Sequence, residues 1–207
     1  LQLARRGSAP LALGFGPTQA AAVDTAGRTV GTPLAELAGR YLAGWYGYDA
    51  QLRRPSRHLP GLTRGQQRAA EHEYWTSANV LKASEDKTFP GAIVASLASP
   101  WGQAVSAGDP NNTYWGSYRE VFARDLYEAF TGLLTDGDLA TARAATRFLF
   151  LRQQQPDGSM PRNSLGNGKT APDSFNTQLD EAAYPILMAW QSGLAGDAQP
   201  WPHIKAA

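Results

Sequence analysis

Arg124-Asp-Leu-Tyr-Glu-Ala-Phe-Thr-Gly-Leu-Leu134 runs into the triplet Asp136-Gly-Asp138, and Leu139 to Gln155 follows at once. The first run has helical spacing, and a helix is expected over 124–134. Asp136-Gly-Asp138 breaks it, and Asp138 is placed to cap a second helix, 139–155, with Ala142, Ala145, Phe148, Leu149 and Leu151 mostly on one side. Two helices joined by so short a turn read as an α-hairpin.

On either side of this hairpin the pattern repeats with longer breaks. Pro156-Asp-Gly opens a long loop to Asn176, after which Asn176 or Thr177 would cap a helix running through Gln191. Pro185 would kink that helix unless it falls in the first turn. Upstream, Thr63-x-x-Gln66 resembles a capping box, and a helix is expected to about Ala83 with Tyr74, Ala78 and Leu81 as its buried stripe. A polar, glycine-rich connection then spans Ser84 to Ser117, holding Asp86-Lys87, the Pro100-Trp-Gly turn and the Asp109-Pro-Asn-Asn turn. Connections of that length are uncommon inside a compact domain and often functional. Long and short connections alternate, so the irregular chain should gather at one end of the helical array. No strand alternation occurs after residue 60, and no sheet is expected within 120–195. The fold class is mainly α, with an α-hairpin toroid or solenoid the fitting architecture, although no fixed-period repeat is present.

Residues 1–60 read differently. Leu11-Ala-Leu-Gly-Phe-Gly16 is strand-like, and Thr18 to Ala26 is a short Ala-rich helix candidate. Thr32-Pro33 looks like an N-cap with a first-turn proline. Leu34, Leu37, Ala38, Tyr41, Leu42 and Trp45 then recur at helical spacing until about Leu52. A basic, proline-bounded linker, Arg53 to Gly61, marks the candidate boundary between domains 1–60 and 61–207. The chain opens at Leu1 without an initiator methionine or signal-peptide pattern, so a missing or processed start is expected; Trp201 to Ala207 resembles the opening of another helix.

Composition narrows the function. The 207 residues carry a net charge of +1 and no basic run, which argues against nucleic acid as a partner. No apolar run reaches the roughly 18 residues that span a membrane. Cysteine is absent, which excludes disulfides and thiol chemistry. Gly-rich phosphate loops and a Gly-x-Ser-x-Gly elbow are missing too. His58, His72 and His203 are scattered without metal spacing, and neither Asp136-Gly-Asp138 nor Asp109-Pro-Asn111 continues into a calcium loop. No cofactor or metal is expected.

What remains is a polar and aromatic constellation. Tyr114-Trp-Gly-Ser-Tyr118 and Phe122 place four rings ahead of Arg124-Asp125. A donor fork, an acceptor carboxylate near a helix N-terminus and flat apolar faces suit a pyranose ring, with hydroxyls on its edge and C–H groups on its faces. The alternative is a plain surface ion pair between Arg124 and Asp125 beside core aromatics. Gln178-Leu-Asp180-Glu181 opens the last long helix after a long loop, as Arg124-Asp125 opens an earlier one, so both clusters should face the same end. Adjacent acids repel, so one is expected to bond a partner while the other stays solvated; equally, both could simply complement the helix dipole.

Leu81-Lys-Ala-Ser-Glu-Asp-Lys-Thr-Phe-Pro-Gly-Ala-Ile-Val-Ala-Ser96, Pro100-Trp-Gly, Tyr118 with Arg124-Asp-Leu-Tyr127, Arg152-Gln-Gln-Gln-Pro-Asp-Gly-Ser-Met-Pro-Arg-Asn163 and Gln178-Leu-Asp-Glu-Ala-Ala-Tyr-Pro-Ile-Leu187 together resemble bacterial glucoamylases and glucodextranases of glycoside hydrolase family fifteen. The match is ordered over roughly residues 70–195. The resemblance implies that 1–60 is the end of an N-terminal β-sandwich plus linker helices, and that 61–207 is the first part of an (α/α)6 barrel. It implies an exo-acting α-glucosidase of bacterial, secreted or periplasmic origin, releasing glucose from α-glucan ends with inversion. Arg124 and Asp125 would grip the outer hydroxyls of the terminal glucose, Tyr118 would sit beside the scissile bond, and Gln178, Asp180 and Glu181 would line the pocket. Phe122-Ala123 stands where the family usually has Trp-Pro or Trp-Thr, which leaves the stacking contact, and so linkage preference, open. The family's general acid and base are expected downstream of Ala207, so this chain would hold no catalytic residue and be inactive alone. In an inverting pair the two carboxyls stand about 6.5–9.5 Å apart across the sugar. The other readings are a non-catalytic sugar-binding half-toroid, and transglucosylation or phosphorolysis on the same architecture. The half-toroid would leave a large apolar inner face exposed.

Overall fold

The computed structural model describes residues 9–56, 58–98, 118–172, 174 and 177–207. The chain divides into two compact units, Leu1–Ala50 and Gln51–Ala207. The turns at Pro100 and Asp109 and the rings of Tyr114 and Trp115 lie outside the described residues.

In the first unit, Thr18 accepts the Ala21 N–H at 3.2 Å and starts helix α1, Gln19–Gly31. This helix runs five residues past the expected Ala26, and that shifts the cap. Thr32 closes α1, its hydroxyl donating to the Arg28 carbonyl at 2.9 Å, so Pro33 rather than Thr32 is the N-cap of α2, Leu34–Asp49. The expected Thr32 N-cap is thus corrected: its hydroxyl is already spent on the preceding helix. Neither helix buries a residue, and Leu11, Leu13, Phe15 and Leu34 are exposed. Residues 11–16 form no strand, contrary to expectation, because a strand exists only by pairing and no described segment pairs with it.

The second unit contains α3, Arg64–Ala83; β1, Val121–Phe122; α4, Ala123–Asp136; α5, Leu139–Phe148, prolonged by a π-helical turn over Leu149–Gln153; β2, Asn163–Ser164; α6, Leu179–Gln191; and α7, Trp201–Ala206. The Thr63–Gln66 capping box forms in full. α4 is the central element and packs on α3, α5 and α6. Leu126, Phe130 and Leu133 of α4 are fully buried against Ala142, Ala145, Phe148, Leu149 and Met188. Gly137 turns the hairpin with φ +93°, a left-handed conformation natural to glycine, and Asp138 caps α5 by accepting the Thr141 N–H at 3.0 Å. Pro185 lies in the interior of α6, beyond the first turn. The α6 cap is Gln178, which makes no side-chain cap bond, in place of the expected Asn176 or Thr177.

One expectation fails outright. A sheet does occur within 120–195: β1 and β2 pair antiparallel, with Val121 opposite Ser164 and Phe122 opposite Asn163. Two residues per strand leave no alternation for the sequence to show. The ladder joins the residues just ahead of α4 to the long loop between α5 and α6. Beside it, the Ala95 N–H donates to the Glu120 carbonyl at 3.0 Å and the Ser96 N–H to that of Tyr118 at 2.8 Å. Residues 95–96 are thereby held against residues 118–120, just ahead of α4. Among the described residues, no helix is long and apolar enough to cross a membrane.

Candidate functional site

The site grows from the junction of β1 and α4. Phe122 occupies the N-cap of α4 in extended conformation, and a phenyl ring cannot accept from the unpaired N–H groups of the first turn. The acceptor comes from α6 instead. Oε2 of Glu181, in the first turn of α6, receives the Arg124 N–H at 3.1 Å. Glu181 is completely buried.

The Arg124 side chain faces the same helix end. Its Nη1 lies 2.7 Å from Asp180 Oδ2 and 3.3 Å from Gln178 Oε1, and Glu181 Oε1 is 3.6 Å away. The hydrogen bond to Asp180 raises the Arg124 pKa, and the same bond holds the Asp180 carboxyl below its usual value. Burial dominates at Glu181 and pushes its carboxyl up to about 7, against the pull of the Arg124 N–H and guanidinium.

Asp125 is exposed, and its carboxylate forms no hydrogen bond or ion pair among the described residues. With Tyr118, Phe122, Arg124, Ala95 and Ser96 it lines an open pocket of about 520 Å³. Tyr118 is half-exposed over this space, while Phe122 is buried beneath the Arg162 guanidinium, 5.5 Å from its ring centre. A larger cavity of about 630 Å³ lies in the first unit, but its lining, Ala9–Ala12, Thr29–Leu34 and Leu37, carries no ionisable group. We take the smaller, polar pocket as the candidate site.

The sequence-derived residues are therefore brought together in two tiers. Tyr118, Phe122, Arg124 and Asp125 line the pocket, while Gln178 and Asp180 reach it through Arg124. Glu181 lies underneath. The simple ion pair between Arg124 and Asp125 does not form; Arg124 turns to Asp180. Neither acid at 180–181 is left solvated without a partner, because one binds the guanidinium and the other the backbone. Sequence reasoning missed Ser96 in the wall, although it ends one of the quoted motifs. It also missed the buried polar support below: Asn163 Nδ2 donates to Glu120 Oε2 at 2.5 Å, and the Ser164 hydroxyl donates to Gln153 Oε1 at 3.0 Å. His58, His72 and His203 are exposed, and no group of metal-ligating side chains occurs among the described residues.

Residues 1–50 match the family model described as glucodextranase, domain N; that match ends where the first compact unit ends. A glucoamylase from Clostridium sp. (strain G0005) is 30% identical over 191 residues, covering 92% of this chain and 24% of that protein. A crystal structure of a bacterial glucoamylase complexed with acarbose superposes with a TM-score of 0.67 at 31% identity, over 87% of this chain and 24% of that one. The chain thus spans about a quarter of the length of these relatives. The resemblance carried by the sequence motifs is shown: this chain is glucoamylase-like over most of its length, and its first 50 residues are like the N domain of glucodextranase.

Proposed function

We propose that the full-length protein is an exo-acting α-glucoside hydrolase that releases glucose from the non-reducing ends of α-glucans with inversion, and that this chain supplies the sugar-holding part of its pocket. The observation that carries the reading is the pocket lining: an exposed carboxylate at Asp125, without a partner among the described residues, beside the Arg124 fork and the Tyr118 and Phe122 rings. A carboxylate bridging two hydroxyls makes charge-assisted bonds, stronger than neutral ones, and the half-exposed Tyr118 ring offers an apolar face to the sugar C–H groups. Asp180 and Gln178 hold the guanidinium at the pocket edge. Glucoamylase-like relatives support the assignment to glucan hydrolysis.

In this reading α1 and α2 are linker helices that lead from an N-terminal domain into a barrel, and 61–207 begin an (α/α)6 barrel. α3 and α5 are its outer members, α4 and α6 inner ones. The short β1–β2 ladder then belongs to the loops over the barrel mouth. The catalytic acid and base come from the remainder of the same polypeptide, so residues 1–207 alone are inactive. The resemblance to glucoamylases favours a secreted or periplasmic protein. The test follows the anomer formed from maltose and isomaltose by proton NMR in the full-length protein. β-Glucose appearing first is expected; α-glucose first, or no glucose, overturns the reading.

A further inference from the structure

We infer that Glu181 is a positioning residue, a cap delivered from α6 that fixes Arg124 at the start of α4 and so ties the two halves of the sugar site together. This rests on the sugar-site reading above and extends it.

A helix normally takes its cap from its own N-cap side chain. In α4 that position is held by Phe122, which is a wall of the pocket and has no acceptor to offer. The cap comes from 57 residues away: Oε2 of Glu181 takes the Arg124 N–H at 3.1 Å. Oε1 makes no hydrogen bond among the described residues and stands 3.6 Å from Nη1 of the same arginine. One carboxylate therefore holds both the backbone and the side-chain charge of a single residue. Being fully buried, it offers no surface to a sugar.

The neighbouring contacts show what this fixes. Asp180, next in sequence, grips Nη1 from the solvent side at 2.7 Å, so Arg124 is clamped between two successive acids of α6. Further along, the rings of Tyr127 and Tyr184 stack with centroids 4.5 Å apart, and Gln191 Nε2 lies 3.4 Å from the Tyr127 hydroxyl. α4 and α6 are thus joined along their length, with Glu181 at the end nearest the pocket. Burying a carboxylate is costly, and the sequence could cap α4 more simply with serine at position 122. Delegating the cap to Glu181 leaves position 122 free for an aromatic wall and still sets the Arg124 fork.

The test uses the full-length protein, with KM and kcat for maltose and the melting temperature measured for Arg124→Ala, Glu181→Ala, Glu181→Gln and the double alanine variant. Glu181→Ala is expected to raise KM about 10-fold with a smaller change in kcat, as loss of uniform binding does. Glu181→Gln keeps an oxygen for the Arg124 N–H and should return KM to within about 3-fold of wild type. With Arg124 already alanine, Glu181→Ala should add no more than about 2-fold, because the two act as one unit. If Glu181→Ala is too unstable to assay, Glu181→Asp replaces it with the same expectations, its carboxylate one methylene short of the N–H. The inference is overturned by an unchanged KM in the alanine variant, by failure of glutamine to rescue, or by a full effect that persists without Arg124. An Arg124→Ala variant with unaltered KM instead overturns the sugar-site reading, and this inference with it.

Discussion

The guanidinium of Arg124, in the first turn of α4, is bonded at 2.7 Å to the carboxylate of Asp180, in the first turn of α6. Two helix starts separated by more than fifty residues are thus joined by one ion pair at the edge of the candidate pocket. Both side chains remain substantially exposed, 44% and 36%.

An exposed pair of this kind contributes only about 0–1 kcal/mol to stability after solvent screening. Asp180→Asn should therefore shift the melting temperature by no more than about 4 °C. It should still raise KM for maltose several-fold, because the arginine fork loses its orienting partner. A large stability loss with unchanged KM would show that the pair is architectural.

Glu181 sets a pH dependence whose sign follows from its raised pKa. The folded protein binds this proton more tightly than the unfolded chain, since burial lifts the group from 4.5 to about 7. Its contribution is full below the unfolded value and is lost as pH rises through the folded one. Arg124 on α4 favours the ionised form and Asp180 on α6 opposes it. Urea midpoints between about pH 5 and about pH 8 should show wild type losing on the order of 1–3 kcal/mol relative to Glu181→Gln. Parallel curves for the two proteins would refute this.

Gly91 has φ +86°, and a side-chain carbon there would lie 2.2 Å from the Ala144 carbonyl oxygen of α5. Its N–H also donates to the buried Glu85 carboxylate at 2.9 Å. Gly91→Ala combines backbone strain with a clash against rigid backbone, and should cost at least about 2–3 kcal/mol. Chemical denaturation measures it; a loss below about 1 kcal/mol would mean the 84–98 segment adjusts freely.

Helix periodicity made α2 to α6 legible: Leu126, Phe130 and Leu133 repeat at the helical period and are buried, whereas of the expected stripe Tyr74, Ala78 and Leu81 only Ala78 is buried and the other two are half-buried. Local chemistry made the Thr63 box, the Gly137 turn and the Asp138 cap legible, since each needs only its near neighbours. What escaped was long-range. The two-residue ladder has no period, and the π turn at Leu149–Gln153 keeps an α-like pattern while shifting its register. Within the site, the grouping of Tyr118, Phe122, Arg124 and Asp125 could be read from adjacency in sequence. The burial of Glu181 could not, because a first-turn acid looks the same whether it faces water or caps another helix.

The most direct test of the sugar site is Asp125→Ala in the full-length enzyme, with kcat/KM on maltose and the melting temperature measured together. The side chain is exposed and without a bonded partner among the described residues, so its removal costs the fold little beyond its favourable interactions with the α4 dipole and the Arg124 charge. The account predicts a loss of about 2–4 kcal/mol in transition-state binding with little change in melting temperature, and only partial recovery in Asp125→Asn, which trades an acceptor for a donor. An Asp125→Ala protein that unfolds readily, yet keeps wild-type kcat/KM per folded molecule, would contradict it.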